Sequence, residues 1–210
     1  RPLPAHLSFE QGAALPLAGL TAYRAAFTRA RVQAGERVLV TGVGGGVALT
    51  AVQLCVARGA EVWVTSSAEE KIARACEYGA QGGIKYNAEN WVKTLTQQAG
   101  GAFDVIIDSA AGSAFGPLLD AAAPGGRIVF FGGTLGNIPE VPPAKVFWKQ
   151  LSILGSTMGT PQDFEDLLAL VTEKGIVPVV DEVFPLAEGE AALRRLEAGA
   201  QFGKVVLKIG

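Results

Sequence analysis

Short apolar runs alternate with longer stretches of helical periodicity along most of this 210-residue chain. The runs at residues 38–40, 105–107 and 128–131 contain no polar residue, which is typical of strands buried on both faces of a parallel sheet. Strands that alternate with helices predict an α/β fold in which helices cover both faces of the sheet. The predicted strands are residues 37–40, 61–65, 83–86, 103–108, 127–131 and 151–154.

Helical periodicity fills the intervals between most of these strands. The predicted helices are residues 45–58, 68–78, 89–99, 113–122 and 161–174. Gly59, Gly79, Gly100 and Gly175 follow four of them, where glycine favours the left-handed conformation that ends a helix. The segment between residues 131 and 151 is rich in glycine and proline, and we predict a loop there.

Two flanking segments lie outside the regular alternation. Residues 1–34 predict a helical lead-in, with short helices near residues 8–12 and 17–30. Residues 179–210 predict a strand, a helix at 187–197 and a final strand at 204–209. The final strand has no place in the six-stranded sheet, so we expect this segment to contact a neighbouring domain. Residues 1–210 are interpreted as a single nucleotide-binding domain.

Composition and charge exclude several classes of protein. With 49% hydrophobic residues, 18% charged residues and a net charge of −2, the chain has no basic surface for nucleic acid or anionic membrane. No apolar segment approaches the roughly 18 residues of a membrane span and no signal peptide opens the chain, so a cytoplasmic location is expected.

Cys55 and Cys76 are expected to be buried free thiols, and the single His6 cannot form a metal site alone. Because the chain begins at Arg1, we expect it to be a domain of a longer polypeptide.

Four glycines follow the first predicted strand and precede a predicted helix, in the stretch VLVTGVGGGVA at residues 38–48. Amide N–H groups and the positive end of a helix converge at such a turn, and the absence of Cβ atoms lets a pyrophosphate approach. The spacing departs from the common G-x-G-x-x-G and fits Gly42, Gly45 and Ala48 better. We predict that Gly42, Gly45, Gly46 and Val47 face a pyrophosphate, although a glycine-rich turn can also serve tight packing.

The second predicted strand ends without a carboxylate. In dinucleotide-binding folds an Asp or Glu at this place accepts a hydrogen bond from the ribose 2′-hydroxyl, but here Ser66 and Ser67 follow the strand. Two hydroxyl groups and the cation of Lys71 suit a 2′-phosphate, which favours NADP(H). The alternative is structural, since Ser67 and Glu70 also form a capping-box pattern and Lys71 fits an ordinary solvated lysine.

Other nucleotide-binding folds fit less well. The Tyr-x-x-x-Lys of short-chain dehydrogenases is absent, a P-loop would need Gly-Lys-Ser/Thr after the turn, and Thr41 stands where methyltransferases usually carry an acidic residue. No His, Cys or Tyr pair is arranged for acid–base or nucleophilic work, so the catalytic residues are unknown. The pattern predicts a doubly wound, Rossmann-type six-stranded parallel sheet.

The order and spacing of several motifs resemble the medium-chain dehydrogenases/reductases, in particular the quinone oxidoreductase and zinc-type alcohol dehydrogenase-like branches. The motifs that carry the resemblance are LPLAGLTAY at 15–23, AGERVLV at 34–40, GGV at 45–47, DVIID at 104–108, GGRIV at 125–129 and GKVVL at 203–207. The resemblance implies a preceding GroES-like catalytic domain, which the final strand would contact. It also implies a homodimer through the sixth strand.

The resemblance also implies roles for single residues. The 2′-phosphate site of quinone oxidoreductases includes a lysine and a tyrosine fifteen places later, which match Lys71 and Tyr86, whereas Gly199 stands where the family carries an arginine. By the same resemblance, the ends of the fourth and fifth strands, around Ser109-Ala110 and Phe131-Gly132-Gly133, are expected to lie along the nicotinamide half.

Leu17 stands at the position of a zinc-ligating cysteine of zinc-dependent relatives, so no metal is expected in this chain. The expected function is the NADP(H)-binding domain of an oxidoreductase that transfers hydride between NADPH and a quinone, enone or related carbonyl or alcohol substrate. The alternative is a free-standing NADP(H)-binding or association module without catalysis.

Overall fold

Six parallel strands form the central sheet of the computed structural model, which describes all 210 residues. The strands are β1 (Arg37–Val40), β2 (Glu61–Ser66), β3 (Gly82–Lys85), β4 (Phe103–Asp108), β5 (Ala122–Phe130) and β6 (Ser152–Gly155). Their order is β3-β2-β1-β4-β5-β6, so the chain winds outward in both directions from β1 and β4. The predicted doubly wound α/β fold is confirmed.

Nine α-helices accompany the sheet. They are α1 (Phe9–Ala14), α2 (Pro16–Tyr23), α3 (Gly46–Ala57), α4 (Glu69–Glu77), α5 (Trp91–Gln98), α6 (Phe115–Ala121), α7 (Pro143–Lys149), α8 (Pro161–Lys174) and α9 (Gly189–Glu197). A π-helical turn, Arg24–Arg29, continues α2. None of the helices is both long and apolar enough to cross a bilayer.

Two apolar cores lie on opposite faces of the sheet, because successive strand residues point to opposite sides. In β1, Val38 and Val40 pack into a core of 32 buried residues with α2, α3 and α8. Leu39, between them, packs into a second core of 12 buried residues with α5 and α6. The unbroken apolar runs in the sequence are therefore explained by burial on both faces.

Three sequence predictions differ from the structure. The segment between β5 and β6 contains the helix α7, which begins at Pro143, a residue type that is well accommodated in the first turn of a helix. Helix α4 has Ala68 as its N-cap and no side-chain cap hydrogen bond, so the capping box of Ser67 and Glu70 does not form. Cys76 is exposed rather than buried.

The last part of the chain forms a separate two-stranded parallel sheet. Its strands are β7 (Val180–Pro185) and β8 (Lys204–Lys208). Helix α1 packs against both strands, and Lys208 forms an ion pair with Glu10 at 3.3 Å. The final strand, which had no place in the sheet predicted from the sequence, therefore pairs with β7 within this chain.

A buried carboxylate joins the start of α8 to the end of α2. The side chain of Asp163 is 8% exposed and pairs with Arg24 at 2.8 Å. It also accepts hydrogen bonds from Thr28 Oγ1 at 2.5 Å and from the Thr160 N–H at 2.8 Å. Burial alone would raise the pKa of this carboxyl, but these donors outweigh burial and lower the pKa from 3.8 to about 2.

This depressed pKa gives a testable dependence of stability on pH. The contribution of the ionised carboxylate is fully present above pH 3.8 and is lost as the pH falls toward 2. We expect Asp163→Asn to lower the free energy of unfolding at pH 7 by about 2 kcal/mol. The difference from the wild type should shrink between pH 4 and pH 2, measured by urea denaturation. A difference that stays constant over that range would contradict the assignment.

Candidate cofactor site

A cavity of about 560 Å³ opens at the carboxyl ends of β1, β2 and β4. This is the crevice of a doubly wound sheet, where the winding direction reverses between two neighbouring strands and ligands bind. Seven of the twelve residues predicted from the sequence line the cavity: Gly42, Gly45, Ser66, Ser67, Lys71, Tyr86 and Ser109. The other five do not line it: Gly46, Val47, Phe131, Gly132 and Gly133.

The glycine loop forms one wall of the cavity. Gly42 and Gly44 have φ values of +66° and +133°, a backbone conformation that favours glycine. A Cβ on Gly44 would also lie 2.9 Å from Lys71 Cδ. Gly45 precedes α3 as its N-cap and makes no side-chain cap hydrogen bond, so amide groups of the first turn and the positive helix end are available to an anion.

The predicted phosphate-binding residues gather at one end of the cavity. Lys71 donates a hydrogen bond from Nζ to the Gly199 carbonyl at 2.7 Å, which occupies one of its three donors. Ser67 is exposed and Tyr86 is 48% exposed. Ser66 is 2% exposed and its hydroxyl donates to the Val43 carbonyl at 2.8 Å, so its proton is already used to hold the glycine loop.

Opposite the glycine loop the wall is apolar. It is formed by residues at the start of α5, in the segment that leads into α6 and in α6 itself: Trp91, Ala110, Ala114, Pro117 and Leu118. Of these residues only Ala110, just after β4, was expected from the sequence to lie near the cofactor. Their apolar character is equally compatible with burial in a helix core, so the residue types alone do not indicate a role in binding.

A buried polar pair ties the glycine loop to this apolar wall. Thr41 Oγ1 donates to Asp108 Oδ1 at 2.6 Å, and Asp108 Oδ2 accepts from the N–H groups of Ala110 at 3.2 Å and Ala111 at 2.7 Å. Asp108 is 2% exposed. Ala111 has φ 53° and ψ −132°, a strained conformation for a residue with a Cβ that costs about 1–3 kcal/mol.

The loop after β5 closes the cavity beyond Asp108. Thr134 and Leu135 line the cavity, whereas the three residues before them do not. Gly132 fits there because a Cβ would lie 2.5 Å from the Ser109 carbonyl oxygen. The Leu135 N–H donates to the Ala110 carbonyl at 3.0 Å, which joins this loop to the one after β4.

The segment between α9 and β8 returns to the glycine loop. The Gly203 N–H donates to the Gly44 carbonyl at 2.9 Å, and Lys204 lies where a side chain on Gly46 would have to be. Phe202, 1% exposed, anchors the segment, with the guanidinium of Arg74 4.0 Å above its ring. This contact could not be predicted from the sequence, because local patterns carry no information about such long-range pairing.

Asp181 in β7 holds the segment between α9 and β8 beside the glycine loop. It accepts a hydrogen bond from the Phe202 N–H at 3.0 Å and pairs with Arg195 at 2.6 Å. Burial would raise the pKa of Asp181, but the hydrogen bonds from Arg195 and Phe202 prevail and lower it. The carboxylate therefore stays ionised and holds the segment in place.

The chain has no group of three His, Cys, Asp or Glu side chains that could hold a metal ion. Leu17, at the position compared with a zinc-ligating cysteine, has no donor atom. These residues do not fit a zinc site by themselves.

The doubly wound sheet and the cavity at its switch point are those of a nucleotide-binding domain. Residues 46–173 match the family described as "Zinc-binding dehydrogenase". The chain belongs to this family, within the medium-chain dehydrogenase/reductase superfamily, as the motifs in the sequence indicated.

Similar proteins support the same assignment. Quinone oxidoreductase of Rattus norvegicus is 35% identical over 214 residues, covering 98% of this chain and 64% of the relative. Zinc-type alcohol dehydrogenase-like protein YogA of Leptosphaeria maculans is 35% identical over 217 residues, covering 99% and 60%. The chain thus spans less than two thirds of the length of these relatives.

Solved structures agree on the fold. A structure described as an NAD-dependent alcohol dehydrogenase superposes with a TM-score of 0.94 at 38% identity, covering 100% of this chain and 62% of the other. The 2-octenoyl-CoA carboxylase reductase CinF, in complex with NADP and 2-octenoyl-CoA, gives a TM-score of 0.91 at 26% identity, covering 100% and 52%. The two descriptions name different nicotinamide cofactors, so the choice between them depends on this chain's own residues.

Proposed function

We propose that this chain is the NADP(H)-binding domain of an oxidoreductase that transfers hydride between NADPH and a quinone, enone or related carbonyl or alcohol substrate. The observation that carries the proposal is the end of the cavity beyond β2. There Lys71, Ser67 and Tyr86 lie together, and no carboxylate stands at the tip of the strand to repel a phosphate.

Each wall has a separate task in this proposal. Amide groups of the glycine loop and the first turn of α3 donate to the pyrophosphate. The two free donors of Lys71 Nζ and the hydroxyl of Ser67 hold the 2′-phosphate by charge-assisted hydrogen bonds. The apolar wall at Trp91, Ala110 and Leu118 packs against the adenine ring, since flat aromatic rings favour dry apolar surfaces. In this proposal the segment after β4 lies along the adenosine half and not along the nicotinamide half expected from the resemblance.

When bound, the cofactor supplies a hydride from its nicotinamide ring. The residues of this chain bind and orient it and exclude water along the apolar wall, which is the main contribution of the protein in cofactor chemistry. We propose that a second domain, accounting for the remaining length of the relatives, carries the other wall of the substrate pocket. Turnover of a quinone or enone by the full-length gene product tests this part of the proposal.

The homodimer through the sixth strand stays a prediction. Strand β6 lies at the edge of the sheet and pairs only with β5. Phe147 and Trp148 of the neighbouring α7 are 59% and 80% exposed. An unpaired edge with exposed aromatic residues beside it suits association between two copies of this chain.

The phosphate site predicts a selective effect of Lys71→Ala. We expect the dissociation constant for NADPH to rise about tenfold or more, because a charge-assisted hydrogen bond contributes about 1.5–3 kcal/mol. The dissociation constant for NADH should change less than about twofold, because NADH lacks the 2′-phosphate. Isothermal titration calorimetry with both cofactors measures the two changes.

Two further variants control this experiment. Lys93→Ala removes a cation from the exposed face of α5, outside the cavity, and should leave both affinities unchanged. Lys71→Arg keeps the charge and should retain most of the preference for NADPH. Equal affinities of the wild type for the two cofactors, unchanged in Lys71→Ala, would refute the phosphate site.

A further inference from the structure

Asp108 is a buried carboxylate at the edge of the cavity that no cation neutralises. It lines the cavity, is 2% exposed and forms no ion pair with Lys or Arg. Its three hydrogen-bond donors are Thr41 Oγ1 and the N–H groups of Ala110 and Ala111. Burial of a carboxylate is unfavourable unless donors surround it, and here every donor comes from the two loops that border the cavity.

These donors connect the two sides of the crevice. Thr41 immediately precedes Gly42, the first residue of the glycine loop, and Ala110 belongs to the apolar wall. Between them, Ser109 Oγ lies 3.2 Å from the place a Cβ on Gly42 would occupy. The carboxylate of Asp108 therefore fixes the spacing between the glycine loop and the apolar wall.

The conformation of Ala111 depends on the same carboxylate. Its φ of 53° with ψ −132° is unfavourable for a residue with a Cβ. The shortest backbone hydrogen bond to Asp108 comes from the Ala111 N–H, at 2.7 Å. The next residue is also held, since the Gly112 N–H donates to the Gly136 carbonyl at 3.1 Å.

We propose that Asp108 is a positioning residue that sets the adenosine end of the cavity, acting through the backbone of Ala110 and Ala111. The inference rests on the proposed function, because it assigns a role within the same cofactor site. Asp108 does not touch the cofactor. It holds the apolar wall at the distance from the glycine loop that an adenine ring requires.

Adenosine 5′-monophosphate is the probe that tests this role, because it contains the adenosine end of the cofactor without the nicotinamide or the 2′-phosphate. We expect Asp108→Asn to raise its dissociation constant about tenfold, since an amide cannot accept all three hydrogen bonds. Thr41→Val, which removes only the hydroxyl donor, should give a smaller increase. Calorimetric titration measures both, under conditions in which circular dichroism shows each variant to be folded.

Rescue separates this positioning role from a general loss of stability. Ala111→Gly allows the backbone conformation without help from Asp108. In the double variant Asp108→Asn with Ala111→Gly we expect at least half of the lost affinity, on a logarithmic scale, to return.

A matched control comes from the carboxylate at the start of α8. Asp163 is also buried and accepts a hydrogen bond from the Thr28 hydroxyl, but it lies outside the cavity. Asp163→Asn and Thr28→Val should lower stability and leave the affinity for adenosine monophosphate unchanged.

The outcomes are distinct. Weaker binding in Asp108→Asn, rescue by Ala111→Gly and unchanged binding in Asp163→Asn support the inference. Unchanged binding in Asp108→Asn, or an equal loss in Asp163→Asn, overturns it while the proposed function stands. A wild type that binds none of adenosine monophosphate, NADPH and NADH overturns the proposed function and the inference together. If Asp108→Asn does not fold, the affinity for adenosine monophosphate is compared between Thr41→Val and its control Thr28→Val. Weaker binding in Thr41→Val alone supports the inference, and equal binding in the two variants overturns it.

Discussion

Replacing Gly45 with valine is expected to lower the affinity for both NADPH and NADH by at least about 100-fold, or about 2.7 kcal/mol. Gly45 lines the cavity at the start of α3, and a Cβ there would meet no protein atom within 4 Å. The added side chain therefore fills space that the pyrophosphate needs to reach the amide groups. Titration calorimetry with each cofactor measures the loss.

The fold should tolerate this change. Gly45 has φ −78° and ψ 150°, an extended conformation open to any residue, and a less favourable N-cap costs about 1 kcal/mol. The same substitution at Gly155, which also has open space around its Cβ position but lies at the end of β6, is the control and should leave binding intact. Normal cofactor binding by Gly45→Val would show that the glycine loop does not contact the phosphates.

Replacing Phe202 with alanine is expected to give the largest loss of stability among these variants, about 3–5 kcal/mol. Phe202 is 1% exposed, carries Arg74 4.0 Å above its ring and lies 6.3 Å from the ring of Tyr78. Its removal leaves a cavity and frees the segment whose Gly203 holds the glycine loop. Urea denaturation measures the loss of stability.

Phe147→Ala removes the same side chain at an exposed position, so it separates the effect of burial on stability from the effect of removing a large side chain. Phe147 in α7 is 59% exposed, so Phe147→Ala should cost less than about 1 kcal/mol. We also expect Phe202→Ala to weaken cofactor binding in the protein that remains folded, because the glycine loop loses a hydrogen-bond partner. A loss of stability without any effect on cofactor affinity would show that the return of this segment is purely structural.

The sheet and most helices could be predicted because their signals are local. Continuous apolar runs identify strands buried on both faces, and glycines with positive φ, such as Gly59 and Gly175, mark the helix ends that the sequence predicted. Helix α7 was missed because prolines such as its N-cap Pro142 and its first residue Pro143 occur equally in loops and at helix starts. The capping box at Ser67 was wrong because α4 begins with Ala68 as its N-cap.

The candidate site was predictable only in part, for a related physical reason. The glycine loop follows β1 directly and Lys71 lies in the helix that follows β2. The carboxyl ends of neighbouring parallel strands therefore bring them together. The bond between Thr41 and Asp108 joins residues 67 positions apart. The hydrogen bond between Gly44 and Gly203 spans a still longer part of the sequence. No local pattern around either residue predicts its partner.

The hydrogen bond between Gly203 and Gly44 joins a late part of the chain to an early one, so it can form only after both parts have been synthesised. A ribosome that adds 5–20 residues per second needs on the order of ten to thirty seconds to make the roughly 160 residues between the two partners. During that interval the growing polypeptide exposes the glycine loop without the segment that completes it. We therefore expect the nucleotide to be loaded only after this part of the protein has been translated.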